Sequence, residues 1–161
     1  MEYFFALFLA LSGMYHDSTK AFVVEGPSME PTMHPNDRLA VDTSYYTHHR
    51  IERGDLIVFQ ATPDKIFVKR VIALPGESVR VEGEAVYINK VKLNEPYLQP
   101  ALDESVHQGS VYNVRDFPEH IVPDHTVFVL GDNRSNSMDS RDIGFIKQEQ
   151  IIGKVQTPLL H

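Results

Sequence analysis

From residue 21 onward, short apolar runs alternate with polar turns, and the runs either have apolar residues at every second position or are rich in β-branched residues. This spacing predicts β-strands, because successive side chains of a strand point to opposite faces of its sheet. Turn-forming pairs such as Pro75-Gly76 and Pro123-Asp124 separate the runs. The predicted strands cover residues 21–24, 38–41, 55–59, 66–74, 78–81, 85–88 and 126–130. We expect a mostly β protein, with twisted antiparallel sheets in a barrel-like core.

The chain is short enough for one domain, which we assign to residues 21–161. Within it, residues 78–125 are expected to form a small β extension that starts with a hairpin closed around Gly83-Glu84. The stretch 95–123 is the most polar and irregular, and we expect surface loops there, outside the core. Helical periodicity is weak, apart from the N-terminus and a short candidate at 147–151.

The N-terminal segment, residues 1–20, contains an uninterrupted apolar run at 3–11 that continues weakly to residue 15. We expect a short apolar helix. Thirteen helical residues extend about 20 Å, less than the roughly 30 Å of membrane hydrocarbon. No Lys or Arg precedes the run, so the charged start of a signal peptide and the positive flank of an anchor are both missing. One interpretation is a helix that packs on the domain or on a partner.

Composition excludes several classes of protein. The formal net charge is -7 and no stretch is rich in Lys and Arg, which argues against a nucleic-acid-binding protein. The chain has no cysteine, so disulfides and thiol catalysis are excluded.

The sequence predicts no metal and no cofactor. None of the eight histidines follows a paired ligand spacing such as H-E-x-x-H. The polar run 131–142 does not fit a calcium loop. Counting from Asp132, Ser137 falls where glycine is needed and Ile143 falls where the bidentate glutamate should be. The simplest interpretation of this run is a solvated loop of Asx turns.

Two residues have the potential for nucleophilic chemistry. Ser28 lies in the turn-rich segment GPSMEPTM, and Lys69 lies in the middle of an apolar predicted strand. A serine attacks well only when a base takes its proton, and a lysine can be that base only when burial keeps its amine neutral. Lys69 shares a strand face with Phe67 and Val71, so it is either paired or has a pKa well below about 10.4. Taken alone, the two residues are more simply explained without catalysis, with Ser28 as a turn residue and Lys69 as a lysine at a strand edge.

Four ordered segments change that balance: GPSMEPT at 26–32, RGDLIVF at 53–59, FVKRVIALPGE at 67–77 and VLGDNRSNSMDSR at 129–141. Together they resemble the characteristic boxes of bacterial type I signal peptidases, in the Gram-positive pattern, over residues 22–157. Members of that family are serine–lysine enzymes that remove signal peptides from exported preproteins. The resemblance implies that Ser28 is the nucleophile and Lys69 its general base. A Ser-His-Asp triad is less attractive because Ser28 lies in no G-x-S-x-G turn.

The resemblance also implies supporting residues. Ser137 would hydrogen-bond the Lys69 amine, and Asp139 with Arg141 would form an ion pair that holds the loop against the site. The backbone N–H of Ser28 would stabilise the oxyanion. Some members add a serine hydroxyl two positions before the nucleophile, where this chain has Gly26. Any second donor would therefore be backbone or water.

Substrates implied by the resemblance are signal peptides with small residues at the first and third positions before the cut, since such peptides end in A-x-A-like sequences. The residues expected to line the shallow pockets that accept them are Phe22, Val24, Met33, Phe67 and Val68.

Members of the family usually carry an N-terminal anchor in the cell membrane, with the catalytic domain on the extracytoplasmic face. By that resemblance, the run 3–11 would be the outer part of an anchor and would bring the site to the membrane surface. Two alternatives remain open. One is a non-catalytic paralogue that only binds exported peptides. The other is a serine–lysine self-cleaving repressor-type protease, for whose helix-turn-helix the chain has no room.

Overall fold

The structure is a computed structural model that describes residues 18–156. The predicted N-terminal helix and its interpretation as an anchor fall on residues outside this range. Within residues 18–156, no helix is both long enough and apolar enough to cross a membrane.

Short strands dominate the described residues. The strands are β1 (Thr19–Val23), β2 (Arg38–Asp42), β3 (Leu56–Thr62), β4 (Lys65–Ala73), β5 (Ser78–Glu82), β6 (Ala85–Ile88), β7 (Val91–Lys92), β8 (Phe117–Ile121), β9 (Thr126–Leu130), β10 (Ile146–Lys147) and β11 (Ile151–Val155). The α-helices are α1 (Tyr45–His48), α2 (Gln99–His107) and α3 (Ser140–Ile143), and 3-10 turns cover Pro27–Met29, Pro96–Leu98 and Gln148–Gln150. All seven predicted strands are present, with ends that differ from the prediction by at most three residues.

Two antiparallel sheets make up the fold. The larger has seven strands in the order β1-β2-β11-β3-β4-β9-β10, and the smaller has four in the order β7-β6-β5-β8. The prediction of a mostly β protein with antiparallel sheets is confirmed. The smaller sheet contains the predicted hairpin, in which Val81 of β5 faces Val86 of β6.

Strand β4 is central to the larger sheet, because β3 pairs with one of its edges and β9 with the other. In these pairings Lys69 lies opposite Ile57, and Arg70 lies opposite both Leu56 and Leu130. Pairing on both sides shields the backbone of β4 from water, and from Lys69 to Ala73 the side chains on both of its faces are buried. The two adjacent basic residues are therefore carried into the interior of the sheet, as the apolar run around them predicts.

Three apolar clusters form the core. One packs the turn after β1 against β2 and β3 and includes Phe22, Met29, Met33, Leu39 and Val58. A second joins the end of β4 and strand β9 to the smaller sheet, and a third lies under the centre of the larger sheet. The first cluster surrounds the turn that carries Ser28, so apolar burial fixes that turn.

Two predictions from the sequence are wrong. The helix at 147–151 is reduced to the 3-10 turn Gln148–Gln150, and strand β11 follows at once because Ile152 and Val155 pack on the first core cluster. The stretch 95–123 is not a set of loops alone, since it contains helix α2 and strand β8. Strand β8 pairs with β5 and lies at the edge of the smaller sheet. Glu119 and His120 are exposed there, so its sequence lacks the apolar alternation that predicts a strand.

Candidate active site

Ser28 lies in the 3-10 turn Pro27–Met29, which follows Gly26 in fully extended backbone. The Pro27 carbonyl accepts a hydrogen bond from Glu30 N at 3.0 Å and closes the turn. Proline suits the first position of such a turn, because its fixed φ is helical and its missing N–H would have no partner there. Ser28 is 2% exposed and the neighbouring Met29 is fully buried, so the serine is held by packing on its own turn.

Lys69 meets Ser28 across 41 residues of sequence. Its Nζ donates to Ser28 Oγ at 2.8 Å and to the carbonyl oxygen of Val68 at 2.9 Å. The amine also lies 5.1 Å from the centre of the Phe67 ring, and the whole residue is only 1% exposed. A serine hydroxyl and a buried amine at hydrogen-bond distance have the geometry of a nucleophile and its base.

The environment of Lys69 favours the neutral amine. Burial lowers the pKa of Lys69 from 10.5 to about 8, although the carboxylates of Asp139 and Asp132 act in the opposite direction. A desolvated ammonium loses its hydration, and two carboxylates further away recover only part of that loss. A large fraction of the amine is therefore neutral at mildly alkaline pH and can accept a proton.

The polar segment 131–142, which includes the start of α3 and is called here the site loop, packs directly on the turn that carries Ser28. Asn133 N donates to the Ser28 carbonyl at 3.0 Å, and Asn133 Nδ2 donates to the Pro27 carbonyl at 3.1 Å. At Gly131 a Cβ atom would lie 2.5 Å from the Ser28 carbonyl oxygen and would also overlap Ser137. Only glycine allows this close approach, so the site loop and the Ser28 backbone are fitted to each other.

Asp139 and Arg141 form the ion pair that the resemblance implies. Arg141 donates through Nε to Asp139 Oδ1 at 2.9 Å and through a terminal nitrogen to Oδ2 at 2.8 Å, and both side chains are buried. Asp139 also accepts from Gly131 N at 3.1 Å. Burial opposes ionisation of Asp139, but the hydrogen bonds and charge of Arg141 outweigh it and the pKa lies below its usual value. The pair thus fixes Gly131 against Ser28.

The hydrogen bond expected between Ser137 and Lys69 is absent. Ser137 Oγ is buried and makes no hydrogen bond to Lys69, although its hydroxyl helps to lower the pKa of Asp139. It packs against Gly131, and the amine of Lys69 donates instead to Ser28 Oγ and Val68 O. This hydrogen bond was expected from the resemblance alone, and the sequence does not fix the distance between Ser137 Oγ and Lys69 Nζ. Ser137 remains in the site loop as a packing neighbour of Gly131.

Arg70 and Asp132 form a further charged pair beside the site that the sequence reasoning missed. Arg70 donates to the two carboxylate oxygens at 2.9 and 2.6 Å, and Thr32 Oγ1 donates to Asp132 Oδ2 at 2.5 Å. These bonds connect strand β4, the segment after Ser28 and the site loop. The available signal was a second charged residue next to Lys69 in the same apolar run, which needs a partner if it is buried.

A small cavity opens beside Ser28 and Lys69, with a volume of about 30 Å³. Four of the five predicted pocket residues line it, namely Phe22, Val24, Phe67 and Val68. Met33 does not line it but is fully buried in the cluster behind it. The sequence reasoning missed the other lining residues, which are Val23, Glu25, Leu39, Val58 and Ile66. The wall is mostly apolar, and Ser28 and Lys69 also line it.

Comparison with known proteins identifies the family. The sequence matches the profile described as signal peptidase, peptidase S26, over residues 1–160. The chain belongs to this family. The signal peptidase I of Bacillus amyloliquefaciens is 41% identical over 140 residues, which cover 86% of this chain and 72% of that protein. Signal peptidase IB of Staphylococcus aureus strain Mu50 is 37% identical over 143 residues, covering 83% and 74%.

A solved structure in the same family agrees with the fold. The crystal structure of a signal peptidase I from Enterococcus faecalis V583 is 36% identical, with a TM-score of 0.59. The match covers 67% of this chain and 98% of that one. Membership of the signal peptidase family makes the protein a hydrolase of the serine endopeptidase class, as the resemblance predicted.

Proposed function

We propose that the protein removes signal peptides from exported preproteins, with Ser28 as nucleophile and Lys69 as general base. The observation that carries the proposal is the 2.8 Å contact between Lys69 Nζ and Ser28 Oγ in a buried site, where the pKa of Lys69 is lowered to about 8. Membership of the signal peptidase family supports the choice of substrate.

In the reaction, Ser28 Oγ attacks the carbonyl carbon of the scissile bond while the neutral amine of Lys69 accepts the hydroxyl proton. Lys69 then gives that proton to the leaving amine, the C–N bond breaks and an acyl-enzyme remains. Water then attacks the acyl carbon while Lys69 accepts its proton; the ester bond to Ser28 Oγ breaks, Lys69 returns the proton to Oγ, and the signal peptide leaves with a free carboxylate. The oxyanion is stabilised by the Ser28 N–H, which lies in the first turn of its 3-10 helix and has no intrahelical acceptor there. One such donor contributes about 3 kcal/mol.

Substrate choice follows from the size of the cavity. A volume of about 30 Å³ holds about two water-sized groups, which suits a small side chain and not a large one. We infer that residues of the A-x-A type occupy this wall and that a bulky residue before the cut prevents cleavage. The apolar run at 3–11 supports attachment to the cell membrane. Family membership supports a catalytic domain on the extracytoplasmic face, where exported preproteins emerge.

The test is processing of a preprotein by the purified enzyme in detergent or lipid. The wild type should cut it, and Ser28→Ala and Lys69→Ala should each be inactive while the far-UV circular dichroism stays unchanged. Lys69→Arg should also be inactive, because a guanidinium does not lose its proton in a protein. Substantial turnover by any of these folded variants contradicts the assignment. An inactive wild type would favour a peptide-binding role.

A further inference from the structure

The segment 95–115 makes polar contacts to the site loop through five residue pairs, one of which is the ion pair of Arg115 with Asp142, although it reads in sequence as a peripheral stretch. Glu95 pairs with Arg134, and the Tyr112 hydroxyl donates to the Asp132 carbonyl. Asn113 Oδ1 accepts from Arg141 at 3.0 Å, and Arg115 donates to the Ser137 carbonyl at 2.6 Å. The site loop is thus held from one side by a segment that contains neither Ser28 nor Lys69.

The pair of Glu95 and Arg134 is the more deeply buried of the two ion pairs among these contacts. The two terminal guanidinium nitrogens of Arg134 donate to both carboxylate oxygens, at 2.5 and 3.2 Å, and the side chains are 2% and 7% exposed for Arg134 and Glu95. The third nitrogen, Nε, donates to the Gly131 carbonyl at 2.9 Å. A bidentate carboxylate fixes the plane of the guanidinium, so the direction of this third bond is fixed as well.

The bond to Gly131 acts at the point where the site loop contacts the nucleophile. Gly131 lies against the Ser28 carbonyl without room for a Cβ, and Asn133, two residues later, donates to the same carbonyl. A displacement of Gly131 therefore moves the backbone of Ser28. The position of Ser28 Oγ relative to the Lys69 amine changes with it.

We propose that Glu95, acting through Arg134, is a positioning residue for Ser28. This inference rests on the proposed function for its kinetic readout, although the geometry it concerns can be measured without turnover. Glu95 touches no reacting atom. Its role is to hold the guanidinium that holds Gly131.

The test compares the single variants Glu95→Leu and Arg134→Met with the double variant. Each single variant leaves one uncompensated buried charge and should lower the unfolding midpoint in urea, whereas the double variant buries no charge and should recover much of that loss. The bond to Gly131 is missing in the double variant. We therefore expect its kcat for a preprotein to stay about tenfold below wild type, with KM within about twofold, because misplacement of reacting groups affects turnover more than binding.

A matched control is the pair Arg53 and Glu77, which is also bidentate, with distances of 2.7 and 2.6 Å. Its other hydrogen-bond partners are Ile72 O and Leu74 N, not the site loop. The double variant Arg53→Met with Glu77→Leu should keep the kcat of the wild type at a temperature where all variants are folded.

Amide hydrogen exchange gives a second readout that does not depend on activity. Exchange at Asn133 N, which donates to the Ser28 carbonyl, should be about tenfold faster in the Glu95→Leu/Arg134→Met protein, while strand β4 stays protected. If the wild type were inactive, the proposed function would be overturned, and exchange at Asn133 would still decide whether Glu95 positions Ser28. Wild-type kcat together with wild-type exchange at Asn133 in the double variant would overturn the positioning role, and so would a kcat that recovers with stability.

Discussion

The stability of the Lys69→Met variant relative to the wild type should be higher at neutral pH than at alkaline pH. In the folded protein the pKa of Lys69 is about 8, whereas 10.5 is its ordinary value and applies to the unfolded chain. Between these two pH values the unfolded state binds more protons than the folded state, so the stability of the wild type rises with pH. This gain in wild-type stability is absent below about pH 8 and complete above about pH 10.5. Methionine fills a similar volume and does not titrate.

The size of the effect follows from the two pKa values. They differ by about 2.5 pH units, and each unit corresponds to 1.36 kcal/mol, which gives about 3 kcal/mol. The advantage of Lys69→Met over the wild type should therefore fall by about 3 kcal/mol between pH 7 and pH 10.5. Losses of packing or of the hydrogen bond to Ser28 add a constant that does not depend on pH, and the slope isolates the buried amine.

Urea unfolding followed by far-UV circular dichroism at several pH values from 7 to 10.5 measures this difference. Other titrating groups are shared by the two proteins and cancel in the comparison. Lys92→Met, at an exposed lysine, controls for the loss of one positive charge. A difference that does not change with pH, or that grows as the pH rises, would refute the argument that burial lowers the pKa of Lys69.

Four further outcomes are expected. The rate of preprotein cleavage should rise with pH through about 8, because Lys69 must lose its proton before Ser28 is acylated; a rate that falls over this range speaks against an amine base. Arg141→Ala should lower stability by about 3–5 kcal/mol and turnover with it, since Asp139 stays buried without its partner; unchanged thermal unfolding and activity would exclude the support role. Gly131→Ala should reduce turnover at least tenfold, because its Cβ meets the Ser28 carbonyl; wild-type rates would show that the two segments are not fitted. Liposome flotation should raise the full chain but not a protein that lacks residues 1–17, and equal behaviour would assign residues 3–11 to ordinary packing.

Seven of the eleven strands in residues 18–156 were predictable from the sequence, which also indicated Ser28 and Lys69 as a candidate dyad. Alternation indicated β2, β5 and β6, because one face of each lies in an apolar cluster. Apolar runs indicated β1, β3, β4 and β9, and in the last three both faces are largely buried. The apolar surroundings of Lys69 predicted a buried amine, and burial is what lowers its pKa. The partner of that amine came from the resemblance, since nothing local in a turn serine indicates a base 41 positions away.

The buried ion pairs were not predictable in the same way. Glu95 and Arg134 lie 39 residues apart, and each stands among polar neighbours that indicate a solvated surface. A charge in an irregular stretch becomes internal only when another segment covers it, and that depends on the tertiary arrangement. The same limit applies to Ser137, whose hydroxyl lies next to Gly131 rather than on the amine. Strand β11 was missed because Gly153 interrupts its apolar run, although that glycine is what allows β11 to approach β2 closely.

The contact between Asn133 and the Ser28 turn also has a consequence for the order of events during folding. The bonded residues are separated by about 105 positions, and β2 pairs with β11 across a similar distance. Contacts between distant parts of a chain form late, because the intervening loop must be closed first. Ser28 therefore reaches its final position only after the last quarter of the chain has been made and has returned to the first. In a growing or partly folded chain, Ser28 and Lys69 are present but the site loop does not yet align them. During refolding, proteolytic activity should therefore appear only with the slowest phase.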